Sequence, residues 1–123
     1  PKLSISYQEA ESKLEELLKS SCEYRMVSDV PVGVFLSGGY DSTAVAALLQ
    51  TNRGEKLKTF TIGFHEPKFN EAPHAKKVAD YLGTEHTEYY CTHKEAFDII
   101  PQLPEIYDEP FGDNSIIPTT LVS

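Results

Sequence analysis

The sequence predicts an α/β fold, a three-layer sandwich with a parallel sheet between helices, carried here through about three strands. Short apolar, β-prone runs alternate with helix-patterned segments, and Gly or Pro marks the switches between them. A quarter of the 123 residues are Leu, Ile, Val or Phe, enough to bury a core. Strands joined through helices run parallel by right-handed crossovers, which places helices on both faces. The length fits one domain, or part of one.

From Ser4 to about Val27, Ile5, Ala10, Leu14, Leu17, Leu18 and Cys22 recur near helical spacing, with Glu9, Lys13, Glu16, Lys19 and Glu23 between them. The polar face is mixed in sign rather than basic, so the apolar stripe is expected to pack on the core and not on a membrane. Pro31 bars helix continuation, and Val32-Gly33-Val34-Phe35-Leu36 reads as a strand of the kind buried on both faces. After Ser37-Gly38-Gly39 the run from Ser42 to about Thr51 is rich in Ala, Val and Leu, a largely buried helix expected to stop near Asn52 and Gly54.

The unit then recurs. Leu57 to Phe64 predicts a second strand, and Asn70 to Leu82 a helix with Ala75, Val78, Ala79 and Leu82 inward and Gly83 as its C-terminal cap. A third strand is expected from about Glu85 to Tyr90. Thr92 and Glu95 have capping-box spacing, so a helix opens at His93 and is reset around Pro101 and Pro104. Asp108 to Ser123 begins as a Pro/Gly loop and turns helical near Ile116.

Composition removes several functions. With 19 acidic and 11 basic residues the formal charge is −8, which argues against nucleic acid as a partner. No apolar run reaches the ~18 residues of a membrane span, and no basic-then-apolar leader precedes the first helix. The expectation is a soluble, cytoplasmic protein with no membrane partner. Cys22 and Cys91 lack disulfide or metal spacing and read as buried or half-buried thiols. His65, His74, His86 and His93 lack zinc spacing, Tyr81, Tyr89 and Tyr90 read as packing residues, and Lys76 and Lys77 fall on an exposed helix face, so no basic groove is expected.

The chemistry concentrates in Ser37-Gly38-Gly39-Tyr40-Asp41-Ser42, between the first strand and its helix, because open parallel sheets bind ligands beyond the carboxyl ends of their strands. Adjacent glycines let the backbone bend and approach a ligand, while the helix N-terminus offers free N–H groups and the positive end of its dipole. Ser37 and Ser42 supply hydroxyls for phosphate oxygens, and Asp41 a hard oxygen for Mg²⁺ shared with phosphates. A tight turn whose helix is merely capped by Asp41 or Ser42 is the alternative. No Gly-Lys-Ser/Thr follows the glycines, and the later glycine of a dinucleotide fingerprint is missing.

Ser-Gly-Gly-x-Asp-Ser after an apolar strand resembles the pyrophosphate loop of N-type ATP pyrophosphatases, whose fold is of the adenine nucleotide alpha hydrolase-like, PP-loop kind. Four ordered segments narrow the resemblance: Ser28 to Ser42, Thr59-Phe60-Thr61-Ile62-Gly63-Phe64, Leu82-Gly83-Thr84-Glu85-His86, and Asp108-Glu109-Pro110-Phe111-Gly112-Asp113-Asn114-Ser115. Together they are similar to the synthetase domain of glutamine-hydrolysing asparagine synthetases, from roughly Tyr7 to Ser123.

The resemblance implies ATP with its pyrophosphate against Ser37, Gly38, Gly39, Asp41 and Ser42, and Mg²⁺ held partly by Asp41. Its adenosine would lie near Phe35, Leu36 and Ile62, with Gly63 allowing close approach. It further implies attack of the aspartate side-chain carboxylate on the α-phosphorus, loss of pyrophosphate, and displacement of AMP by ammonia. The family match adds weight to Asp108, Glu109 and Asp113 as a loop facing the cleft without giving any of them a role. Residues 1–123 then read as a partial synthetase domain, since neither the N-terminal cysteine of the family's glutaminase domain nor its second signature, Ser-Gly-x-Gly-x-Asp-Glu with a later lysine, occurs. The implied partner is a glutaminase domain of the parent chain, and a homodimer is left open. Amidation of another carboxylate, β-lactam closure and a non-catalytic nucleotide-binding module are the competing functions.

Overall fold

The computed structural model describes residues 4–51, 53–68, 70–109, 112–113 and 115–123. The chain opens with α1 (Tyr7–Arg25), started by a reciprocal capping box in which the Glu9 amide donates to Ser6 Oγ at 3.2 Å and the Ser6 amide to the Glu9 carboxylate at 2.8 Å. Next come β1 (Gly33–Phe35), α2 (Tyr40–Gln50), β2 (Lys58–Phe64), α3 (Ala72–Leu82) and β3 (Glu85–Cys91). The three strands form one parallel sheet in the order β1-β2-β3, with Phe35 opposite Phe60 and Ile62 opposite Tyr89. Two helix-linked strand pairs in sequence are the α/β architecture that the alternation predicts.

Pleating divides β2 between two layers. Thr59 and Thr61 point to the α3 side, where Lys76 reaches Glu88 at 3.3 Å beside Thr61. Phe60, Ile62 and Phe64 point to the other side and, with Pro118 and Thr119 of α6 (Ile116–Val122), wall a cavity. The core lies on the first side, where Leu36, Ala46, Leu49, Leu57, Ala75 and Ala79 form one buried cluster and Val34, Val45, Val78 and Leu82 pack against it. Alanines at 46, 75 and 79 remove the bulk that would hold α2 and α3 away from the sheet and from each other.

Local signals set the ends. Gly83 takes φ +73° and returns its N–H to the Ala79 carbonyl at 2.9 Å, closing α3 as expected. Thr92 and Glu95 make the predicted capping box for α4 (His93–Ile99), and Pro101 and Pro104 each sit in the first turn of the next short helix, Ile100–Gln102 and then α5 (Leu103–Tyr107). Helix α2 ends at Gln50, with Thr51 as its cap; Asn52, where the helix was expected to stop, lies outside the described residues.

Three expectations fail. The apolar stripe of α1 is not core: no residue of α1 is buried, Leu14, Leu17 and Leu18 are exposed, and only Cys22 and the following Met26 reach the cluster, because the helix lies against α2 and touches the core at its C-terminal end. Strand β1 is not buried on both faces. It pairs with β2 alone, and Phe35 is 49% exposed. Tyr81 stands in solvent rather than packing, while Tyr89 donates to Glu95 and Tyr90 lies over Gly63.

Fully buried Thr59 binds Thr84 Oγ1 and His86 Nδ1, each at 2.9 Å, while His86 Nε2 is buried without a partner. A neutral imidazole protonated on Nδ1 suits this site, since it leaves a bare lone pair at Nε2 instead of an orphaned N–H. Burial holds His86 below the usual histidine range; Lys76 adds to the lowering, and Glu88, Asp80 and Thr59 oppose it.

In the unfolded chain the imidazole titrates near ~6.5 and takes a proton that the native site resists. Stability should therefore be full above that value and decline as pH falls below it. Glu95, held down to about 2 by bonds from Thr92 and then Tyr89, acts in another window: its contribution is present above the unfolded carboxylate value of ~4.3 and is lost as pH falls toward 2. Urea unfolding across pH should show His86→Gln flattening the slope below about 6.5, and Glu95→Gln costing stability above about 4.5, with its gap to wild type closing as pH falls below that. Thr59→Val should cost about 1–3 kcal/mol by leaving His86 and Thr84 unpaired.

Candidate functional site

The Leu36 amide donates to the Phe60 carbonyl at 2.8 Å, carrying the ladder one residue beyond β1, and there the chain turns out of the sheet. Gly38 makes the turn at φ +83°, a conformation that favours glycine. A Cβ there would stand 2.8 Å from the Ala75 amide and 3.0 Å from the His74 carbonyl carbon, so the turn is seated on the first turn of α3. Gly39 is the N-cap of α2.

The two serines tie the loop to itself. The Ser37 amide donates to Ser42 Oγ at 3.2 Å, the hydroxyls lie 2.9 Å apart, the Gly39 amide donates to Ser37 Oγ at 3.3 Å, and Ser42 Oγ donates to the Gly39 carbonyl at 3.3 Å. With Ser42's proton on Gly39, Ser37's proton falls on Ser42. The two hydroxyls thus latch the loop in this conformation.

The capping alternative fails. Asp41 and Ser42 lie inside the first turn, and no side chain caps α2. The amides of Tyr40, Asp41 and Ser42 find no acceptor among the described residues, while Thr43 is the first to bond back, to the Gly39 carbonyl at 3.1 Å. The exposed Asp41 carboxylate makes no hydrogen bond or ion pair with a described residue, and Tyr40 is 97% exposed.

Beside the turn lies a cavity of about 240 Å³. Phe35, Leu36 and Ile62, the three that the resemblance sets near the adenosine, line it together with Ser37 of the turn. Gly63 does not; it faces the other side of the sheet, where a Cβ would meet the Tyr90 ring at 2.7 Å. Phe60 and Phe64 join the wall through the two-residue period that exposes Ile62, a signal present in the strand pattern. Glu71, Ser115, Pro118 and Thr119 enter from outside the strands; Ser115 closes the Asp108 to Ser115 segment, and no sequence motif marks the other three. Asp113 accepts from the Ser115 amide at 2.8 Å, bonding that holds its carboxyl below the ordinary range. Asp108 adopts φ 57° at the end of α5 and, with Glu109, is exposed; Pro110, Phe111 and Asn114 of that loop lie outside the described residues.

Among the described residues no three His, Cys, Asp or Glu side chains gather to hold a metal. Asp41 alone can offer an oxygen to a cation that takes its remaining ligands from water or a bound anion. No helix of the described residues is long and apolar enough to cross a membrane. Cys91 is buried, Cys22 half-buried, and both are free.

A parallel sheet with a Gly-Gly turn at the end of β1 and bare amides at the next helix defines an α/β unit of the PP-loop, nucleotide-hydrolase-like class. The family described as asparagine synthase matches residues 13–123, and the chain belongs to that family. A Methanocaldococcus jannaschii protein provisionally named glutamine-hydrolysing asparagine synthetase 2 is 46% identical over 110 residues, covering 89% of this chain and 21% of its own length. Glutamine-hydrolysing asparagine synthetase 1 of Bacillus subtilis is 34% identical over 111 residues, 90% of this chain and 17% of its own. Asparagine synthetase 2 of Oryza sativa is 41% identical over 96 residues, 68% of this chain and 16% of its own. The chain thus spans about a fifth or less of the relatives it matches.

Replacing Gly38 by Ala forces a side chain into the left-handed region, at about 1–2 kcal/mol, and sets its Cβ against α3 backbone. Urea unfolding should show at least that loss for Gly38→Ala, and a smaller loss for Gly39→Ala, whose Cβ meets nothing nearer than Ser37 Oγ at 3.4 Å.

Proposed function

We propose that this chain supplies the ATP pyrophosphate-binding loop of a glutamine-dependent asparagine synthetase. The observation that carries the proposal is the set of unpartnered amides at Tyr40, Asp41 and Ser42, at the N-terminus of an 11-residue helix beside a largely apolar cavity. Amides and a helix dipole attract a polyanion without basic side chains, which answers how a chain of charge −8 receives ATP.

In this mechanism the α2 amides and the side-chain-free surface of Gly38 and Gly39 hold the pyrophosphate, while Phe35, Leu36 and Ile62 wall the adenosine. Asp41 would hold Mg²⁺, which would supply charge neutralisation for the phosphates. The aspartate side-chain carboxylate attacks the α-phosphorus, pyrophosphate departs into the loop, and ammonia displaces AMP from the β-aspartyl adenylate to give asparagine. The loop's task is to align the departing group and neutralise its charge before reaction. Aspartate and a glutaminase domain in the same polypeptide are the implied partners, a homodimer is open, and the free thiols suit a cytoplasmic setting.

Titration of the whole protein with Mg·ATP and Mg·pyrophosphate should show binding of both, weakened about tenfold or more by Asp41→Ala with the fold intact. Equal affinities in wild type and variant would remove Asp41 from the metal. Pyrophosphate release should need aspartate; release with a different carboxylic acid alone would make the protein an amide-forming or lactam-forming relative, and binding without release a nucleotide-binding module.

A further inference from the structure

Among the described residues Glu71 is the one ionisable side chain lining the cavity; the other walls are aromatic, aliphatic or hydroxyl groups. It stands at the N-cap of α3, yet its carboxylate does not cap the helix and makes no hydrogen bond or ion pair with a described residue. The preceding residue does the holding. Asn70 Oδ1 accepts from the Phe64 amide at 3.3 Å and the Ala72 amide at 3.2 Å, pinning the end of β2 to the start of α3. The Glu71 carbonyl in turn accepts from His74 and Ala75, the residues on which Gly38 is seated. The backbone of Glu71 is therefore held beside the Gly-Gly turn, and its exposed carboxylate is left without commitments to the fold.

We propose that Glu71 is the residue that reads the sugar of the nucleotide, its carboxylate accepting a hydrogen bond from a ribose hydroxyl; this rests on the ATP-binding proposal above. An ionised carboxylate is an acceptor only, so it selects a ligand's donors and repels its phosphates. Adenosine offers donors in two places, the N6 amino group and the ribose hydroxyls. With the phosphates in the turn and the base against Phe60 and Ile62, the amino group is remote from the turn and the ribose next to it. A free carboxylate at that point meets the hydroxyls.

The experiment compares ATP, 2′-deoxy-ATP and 3′-deoxy-ATP, all with Mg²⁺, on the whole protein in wild-type, Glu71→Ala, Glu71→Gln and Asp41→Ala forms. Wild type should bind ATP about tenfold or more tightly than the analogue lacking the recognised hydroxyl. Glu71→Ala should erase that preference by weakening ATP alone, and Glu71→Gln, which keeps the shape and one acceptor, should fall between. Mg·pyrophosphate affinity should stay unchanged in both Glu71 variants, whereas Asp41→Ala should weaken every ligand equally. Equal loss of all three nucleotides on Glu71→Ala, loss of Mg·pyrophosphate with it, or no change would overturn the proposal while leaving the loop assignment standing. Failure of wild type to bind any of the ligands would overturn both.

Discussion

The seat of Gly38 on the first turn of α3 fixes more of this molecule than any other contact. One residue at φ +83°, with no side chain, lets the end of β1 and the start of α2 touch backbone that follows β2. Without it the two strand-helix units would share the β1-β2 ladder, and α2 and α3 would meet without a main-chain contact at the turn. With it, the N-terminus of α2, the turn between β2 and α3, and the carboxyl ends of two strands converge at one edge of the sheet. The buried alanines make the same approach possible farther down, where α2 and α3 share the core. Close packing of backbone is what the small residues accomplish here, and the site is its consequence.

The alternation of strands and helices, the capping boxes at Ser6 and Thr92, the Gly83 cap and the proline resets were legible because each is set by nearest neighbours in sequence. The Gly-Gly turn was legible for the same reason. What failed needed knowledge of neighbours across space. A stripe of Leu14, Leu17 and Leu18 signals a surface to be covered and is silent on what covers it, and an apolar run such as Val32 to Leu36 looks alike at the centre or the edge of a sheet. Gly63 falls on the face opposite Ile62 because strand pleating decides which face a residue serves, and which helix lies over which side is not written in the strand. Glu71 carried no signal at all, being one acidic residue among many until the turn at Asn70 set it into a cavity wall.

Buried polar groups follow a related division. Thr59 lies in the middle strand, where an unpaired hydroxyl would be costly, and it is bonded on both sides. His86 shares that network through one nitrogen and leaves the other without a partner. The imperfection sits beneath the helices rather than at the turn, so its burden falls on stability and on pH response. The turn itself keeps its unsatisfied donors at the surface, where solvent can reach them.

That contrast bears on what the serine latch accomplishes. Ser37 and Ser42 satisfy each other and the Gly39 backbone, so the loop's curvature exists before any ligand arrives. Were the same hydroxyls to donate to a phosphate, their present bonds would be exchanged at little net change, since each such bond contributes only about 1 kcal/mol. Amides at Tyr40, Asp41 and Ser42 have nothing to surrender but water. A site built this way keeps its strongest donors free and spends its hydroxyls on shape, so the entropy of ordering the loop is borne at folding instead of at binding. The division also explains why acidic composition is no obstacle: the attraction is in the backbone, which no count of Lys and Arg records.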